Sequence, residues 1–468
     1  MRRIFTRQVR DNFLSLRFQL GLATILLFFA VNGAVYSWRG DQVVEEDARI
    51  AADAESRYEE VEVVADLCEA RFAVTSSPRG TEFIAEGGFN WYHDALLVTA
   101  WWTRGGGGSV RLESLRTTNN WMRRFELLDW TVIVRYVVSF LCVVLAYNAV
   151  SAEVESGTLR LVLANPVSRA AFLGGKLFAH LLTLMVGLVA GMAVSLLILS
   201  AGEAVHLDAA VLGSAVLFLV GAAVYASLFL LVGTGISVLA RTSATSLVFL
   251  ITAWTLLVVV VPQTAYLVAT RTVPSTGQTS RQLWEREMAL NQALIREGLL
   301  PRAPAQARLD DYAIERRFEA RVTEVCDEGD QALREAYRRD RRQYGVARTI
   351  HLLSPGYAFQ YAVEALLGTG LARFERFYED GWRYRDQLRA FLRERDAADP
   401  DSPHITTLRA FTSQAALRPA EIPRFQPSEP PLADSLAAGT GPLAALILEA
   451  GLALLFAVVA FQRADVSS

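Results

Sequence analysis

Six apolar runs punctuate this chain, at about residues 18–37, 130–150, 178–200, 209–235, 246–262 and 442–461. Each is long enough to cross a bilayer core, which takes about 20 predominantly apolar residues at the helical rise. Pro262 marks the expected end of the fifth, because proline lacks the N–H that a continuing helix uses. The fourth frays through VGTGIS (232–237), which leaves its end uncertain by several residues. Tyr36, Trp38 and Trp130 fall near span ends, where amphipathic rings favour the membrane interface; Trp254 fits that pattern least well.

Between the runs lie charged segments, two of them long. Residues 41–72 are rich in Ala, Glu and Val without Pro or Gly, which predicts a helix continuing the first span. After SSPRG (76–80) the pattern turns irregular, and Gly105–Gly108 predicts a flexible loop. In the second long segment, Trp284/Met288 and Ile314/Phe318/Val322/Val325 recur at helical spacing amid Arg and Glu, which predicts long antiparallel helices. Residues 398–433, rich in Pro, Asp and Ser, predict an extended strap returning to the last span. Residues 1–17 set Ile4, Phe5, Val9, Phe13 and Leu16 against several arginines. That pattern suits either an amphipathic helix on the membrane surface or a plain basic flank. The first run follows basic residues as a signal peptide would, but no small-x-small site precedes a polar start, so it reads as an uncleaved span.

Basic residues beside the spans give the orientation. Arg2, Arg3, Arg7, Arg10 and Arg17 precede the first span, and the short connectors 151–177 and 236–245 carry Arg160, Arg169, Lys176 and Arg241. With Arg463 in the tail, all of these share one side if six spans alternate. The expectation is cytoplasmic termini, with 38–129 and 263–441 outside. The fold class read from this pattern is an all-α polytopic membrane protein: six transmembrane helices with two large, mainly helical extracytoplasmic insertions.

Composition narrows the chemistry. The chain is 52% hydrophobic yet 20% charged, which fits apolar spans joined by water-exposed pieces better than one globular domain. A net charge of −3 gives no basic face for nucleic acid. The three cysteines and five histidines show no metal-ligand spacing. No nucleophile elbow, HExxH, CxxC or GxxxxGK[ST] occurs, so ATP-driven work would need a partner. Cys68 and Cys326 both fall outside, where they could form a bridge or remain two buried thiols. Arg135 and Glu449 lie within spans, where charge is costly. They could pair, or Arg135 could snorkel while Glu449 is protonated or faces a cavity.

The most informative connector is 151–177. Glu153 and Glu155 precede Gly157-Thr158, and Leu159, Val162 and Leu163 form an apolar stripe. Asn165-Pro166 then breaks the helix, and Ser168 is placed to cap a new one running through Arg169 and Lys176 into the third span. A short helix, a break and a membrane helix make a rigid elbow, suited to docking in a groove and passing on a push.

GTLRLVLANPVSRAAFLGGK (157–176), preceded by Glu153-x-Glu155, resembles the cytoplasmic loop of ABC-2 type transporter permeases. In that family the loop forms a coupling helix seated in a cleft of the ATP-binding subunit. The two long outside segments resemble the branch carrying a DUF3526 region, as do LSPGYAFQYAVEALLGTG (353–370), IPRFQP (422–427) and AFQRADV (460–466). Asn148 stands where the family often has an acidic residue. The resemblance implies ATPase coupling at Glu153, Glu155, Gly157, Thr158, Leu163, Pro166, Arg169 and Lys176. It also implies a permease without a catalytic site or cofactor of its own, using ATP through a partner ATPase dimer. A second permease copy or a related permease, surrounding membrane lipids and an extracytoplasmic partner complete the expected assembly, an exporter in the bacterial inner membrane. The alternative is a membrane-anchored scaffold or sensor that uses the outside segments as a binding platform. A secondary transporter would place polar residues on paired, broken helices at mid-membrane, and these spans show little of that.

Overall fold

A computed structural model describes residues 2–76, 79–87, 95–101, 109–113, 128–158, 168–240, 242–274, 279–301, 303–304, 312–428 and 431–463. Among them, six helices are long and apolar enough to cross a membrane. The chain is thus an all-α, multi-pass membrane protein in its main architecture.

Helix α1 (Arg2–Leu14) stops at Ser15, whose hydroxyl accepts a hydrogen bond from Phe18 N at 3.3 Å and caps α2 (Leu16–Glu59). α1 packs along the base of the third span, where Asn12 Nδ2 lies 3.1 Å from His180 Nδ1 and 3.2 Å from Thr183 Oγ1. At 1.5 Å per residue, α2 is about 66 Å long, roughly twice the hydrocarbon thickness. Its first half is span one; its second half stands clear as a post for the cap. It ends at Glu59, short of residue 72, because the Asp66 carboxylate takes the Glu62 and Val63 N–H groups, each at 3.0 Å, into a turn. A 3₁₀ turn (Val64–Cys68) follows.

The sequence pattern did not foresee the next elements. Strands β1 (Arg71–Thr75), β2 (Ala95–Thr99) and β3 (Val110–Glu113) form an antiparallel sheet in the order β1-β2-β3, with Phe72 opposite Val98 and Val98 opposite Val110. Its buried face carries Phe72, Leu96 and Val98 and packs on Phe377, Trp382 and Leu388 of a helix more than 270 residues later in the chain. The two long polar segments therefore share one core and form a single cap. The strap also joins them: Leu417 N donates to Glu62 O at 2.8 Å, and Arg409 pairs with Asp66 at 2.7 Å.

Helix α3 (residues 130–146) is span two, and contains a π-helical stretch at Ile133–Val138. A short helix α4 (Ser151–Glu155) precedes α5 (Arg169–Ala201), α6 (Ala209–Leu239) and α7 (Ser243–Thr272), which are spans three to five. Asn32 of α2 ties three spans together. Its amide donates to Leu128 O at 2.7 Å, and its Oδ1 accepts from Trp130 Nε1 at 3.0 Å and Ser195 Oγ at 2.7 Å.

Two sequence expectations shift here. VGTGIS does not fray: it is the tight face of α6. A Cβ on Gly235 would come within 2.6 Å of Phe456, and one on Gly233 would strike Ala146. Glycine lets α6 approach both neighbours closely, so Gly235→Val is expected to cost about 2 kcal/mol by overpacking, read as a lower thermal midpoint. Nor does α7 end at Pro262. A π-helical stretch at Leu256–Val260 precedes it and the helix runs on to Thr272. The wider turn accommodates the missing N–H and the ring of the proline without breaking the span.

Beyond α7, the cap contains α8 (Thr279–Arg296), α9 (Ala313–His351), α10 (Pro355–Leu367) and α11 (Leu371–Ala397). The last span is α12 (Leu432–Arg463). α10 differs from the other cap helices in that nearly all of it is buried, packed against α3, α6, the π stretch of α7 and α12. Gly368, at φ +65°, turns the chain out of it.

Candidate functional site: the elbow between spans two and three

The elbow lies at the end of the bundle opposite the cap. Span two ends at Ala146, and the chain turns into α4 over Val150 and Ser151. The N–H groups of these two residues both donate to Ser237 Oγ of α6 at 3.0 Å. Ser156 closes α4 and Gly157 follows at φ +69°, a left-handed position where glycine carries no Cβ penalty. Val154 through Thr158 are exposed, while Ser151 is fully buried. The elbow thus has a wet tip on a dry root.

Two carboxylates hold the elbow to two different spans, Glu153 at its root and Glu155 at its exposed tip. Glu153 Oε1 receives Lys176 Nζ of α5 at 2.5 Å, and the same ammonium donates to Ala149 O at 2.5 Å. Lys176 also lies 4.9 Å above the Phe172 ring, which stacks on Phe461 of α12 at 5.9 Å. Glu155 accepts from Ser243 N at 2.9 Å and Ser243 Oγ at 2.8 Å, at the first turn of α7. An anion there meets unpaired N–H groups and the positive end of the helix dipole. Glu153 therefore fastens α4 to span three, and Glu155 fastens it to span five.

Of the residues singled out in the sequence, Glu153 and Lys176 come together, and Glu155 and Gly157 lie on the same short turn. Thr158 Oγ1 stands 2.8 Å from Ser156 Oγ at the tip. Ser168 caps α5 as its position predicts, accepting from Ala171 N at 3.1 Å, and Arg169 is the first residue of that helix. Leu163 and Pro166 fall outside the described residues. Sequence reasoning missed Ser237 and Ser243. Each is a lone serine at a helix end, and only the fold brings them to the elbow.

Residues 5–466 match one protein family, described as ABC-2 family transporter protein. The chain belongs to that family. None of the curated proteins compared with it matches. Family membership makes this ABC-2 protein a permease component of an ABC transporter.

Two pairings considered from the sequence do not form in this ABC-2 protein. The Arg135 guanidinium turns to α10, where it donates to Gln360 Oε1, with Tyr136 OH 3.1 Å away on its own helix. Glu449 does not reach it, and its Oε2 is buried without a hydrogen-bond partner. The cause is α10, whose insertion between spans was not readable from hydropathy. Cys68 and Cys326 are both buried, and no disulfide joins them. Cys68 Sγ lies 3.0 Å from Thr406 O and 3.2 Å from Thr412 Oγ1, and burial pushes its thiol up to about 12. Alkylation of the folded protein at pH 8 is therefore expected to spare Cys68, and reduction is expected to leave electrophoretic mobility unchanged. Mass spectrometry before and after denaturation reads the first of these.

Proposed function

We propose that this chain is the permease of an exporter driven by a separate ATPase dimer that docks on residues 151–177. The observation that carries the reading is the double clamp: an exposed tip, Val154 to Thr158, rooted by Glu153 in span three and by Glu155 in span five. A force on the tip reaches both helices through short, charge-assisted bonds, and span four through Ser237. The apolar surfaces that α7 and α12 leave exposed suit a second permease copy, with lipids around the pair. The arginine distribution supports a bacterial inner-membrane orientation with the elbow and both termini in the cytoplasm and the cap outside. The cap-forming segments and the stretches 353–370 and 422–427 support placement in the DUF3526 branch, with the cap as the face for an extracytoplasmic partner.

Co-purification with an ABC ATPase produced in the same cells tests this reading. The intact chain is expected to bring the ATPase down and to alter its ATP turnover, and Glu155→Ala is expected to abolish the change in turnover. A chain that purifies without any ATPase, from cells producing one, would favour a membrane-anchored scaffold instead.

A further inference from the structure

α10 carries a carboxylate that the transport reading does not use. Glu364 is buried, and its Oε1 accepts from Gln360 Nε2 at 2.8 Å, one turn earlier on the same helix. Gln360 Oε1 in turn receives the Arg135 guanidinium, which lies between the Tyr136 and Tyr357 rings at 4.6 and 4.5 Å. Arg135 projects from the π-helical part of span two, whose backbone Tyr225 OH of span four also bonds, at 2.9 Å. A side-chain relay thus runs from span two through Gln360 to Glu364.

The carboxyl group borders a small cavity. A cavity of about 20 Å³, room for a single water, is lined by Glu364, Tyr344, Arg348, Tyr361, Arg373 and Ser435. Its rim residues on α9 and α11 are half-buried. Span two supplies Arg135 and Asp129, α9 supplies Arg348 and the half-buried His351, and α11 supplies Arg373, already paired with Glu82 at 3.3 Å. α12 contributes Ser435 at the cavity, span four contributes Tyr225, and the π stretch of span five is Leu-Leu-Val-Val-Val. Arg79 caps the end of α10 through Leu367 O at 3.2 Å.

We propose that Glu364 is a proton-binding site and α10 a proton-loaded plug: seated among spans two, four and six it holds the proton, and on lifting it releases the proton to the cavity water. A neutral carboxyl satisfies the relay, since its carbonyl oxygen still accepts from Gln360 while its hydroxyl can donate into the cavity. A carboxylate in the same seat carries a desolvation cost that Gln360, Arg348 and Arg135 offset only in part. Burial first, and the Asp129 charge after it, push Glu364 up to about 7, against Gln360, Arg348 and Arg135, which pull the other way.

The sign follows from proton counts. The seated state binds the proton more tightly than the lifted one, in which Glu364 returns to about 4.5. Seating is therefore firmest at low pH and loosens as pH rises through about 7. Between pH 6 and pH 8 the lifting equilibrium shifts by about tenfold.

Hydrogen exchange of the peptide covering 355–367 tests this on the full chain in lipid nanodiscs, corrected for intrinsic exchange rates. Opening is expected to be about tenfold more favourable at pH 8 than at pH 6. Glu364→Gln is expected to remove that dependence, with protection at least equal to that of the unaltered chain at pH 6. A pH-independent unaltered chain, or a variant that keeps the slope, overturns the proposal. Infrared spectroscopy gives a reading independent of seating. The difference between the unaltered chain and Glu364→Gln is expected to show a protonated carboxyl band at pH 6 that fades by pH 8; an ionised Glu364 at pH 6 contradicts it. Neither measurement involves an ATPase, so failure here leaves the coupling reading standing, and failure of that reading leaves this one.

Discussion

Lys176→Met is expected to separate ATP turnover from movement of the spans and to lower stability by about 3 kcal/mol. The ammonium is nearly buried and satisfies both Glu153 and the Ala149 carbonyl, so its loss leaves a carboxylate and a helix-end carbonyl without a donor. Removing one member of a buried pair typically costs about 3–5 kcal/mol; Glu153 retains some solvent contact, which puts this case at the low end. Glu153→Gln is expected to cost about 2 kcal/mol: the amide oxygen and Ala149 O still accept from Lys176, but the buried ammonium loses its counter-ion. Thermal unfolding of the purified chain reads both values. In the ATPase complex, both variants are expected to leave basal hydrolysis in place while the permease-dependent change in turnover is lost.

Arg135→Met is expected to have a comparable cost at the opposite end of the bundle, about 3 kcal/mol, with greater exposure of α10. The guanidinium is fully buried between two tyrosine rings and bonded to Gln360, and Gly356 lacks a Cβ where the Arg135 stem packs, at 2.7 Å from the ideal Cβ position. Methionine keeps the stem and loses the cation–π and hydrogen-bond contributions, stranding Gln360 in an apolar seat. Faster hydrogen exchange across 355–367, together with a lower thermal midpoint, checks this. If only the midpoint falls, Arg135 stabilises the bundle without holding the plug.

The six spans were legible because a bilayer imposes a length and a composition that hydropathy reads directly. The start of the third span's helix was legible because Ser168 is a local capping signal whose meaning does not depend on distant partners. What the sequence hid was long-range. The β1-β2-β3 sheet rests on short strands whose hydrophobic face is completed only by α11. The burial of α10 depends on four neighbours from separate parts of the chain, which no local pattern in 353–370 reveals. The same holds for the charges: Glu153, Glu155 and Lys176 stand out in the sequence by their place in the elbow, and only the fold shows that they bond to spans three and five. The Arg135–Glu449 pair failed for the converse reason, since a third element took one partner.

The exposed tip and the buried root of the elbow divide its work: the tip meets the partner and the root passes the motion on. A photo-crosslinking residue placed at Thr158 tests that division most directly, because Thr158 lies at the wet end, outside the Glu153–Lys176 and Glu155–Ser243 clamps. Illumination of intact cells is expected to give a covalent adduct with an ATP-binding subunit, its yield changing when ATP is depleted. An adduct-free chain at Thr158, in cells where the ATPase is present, would contradict coupling through this elbow.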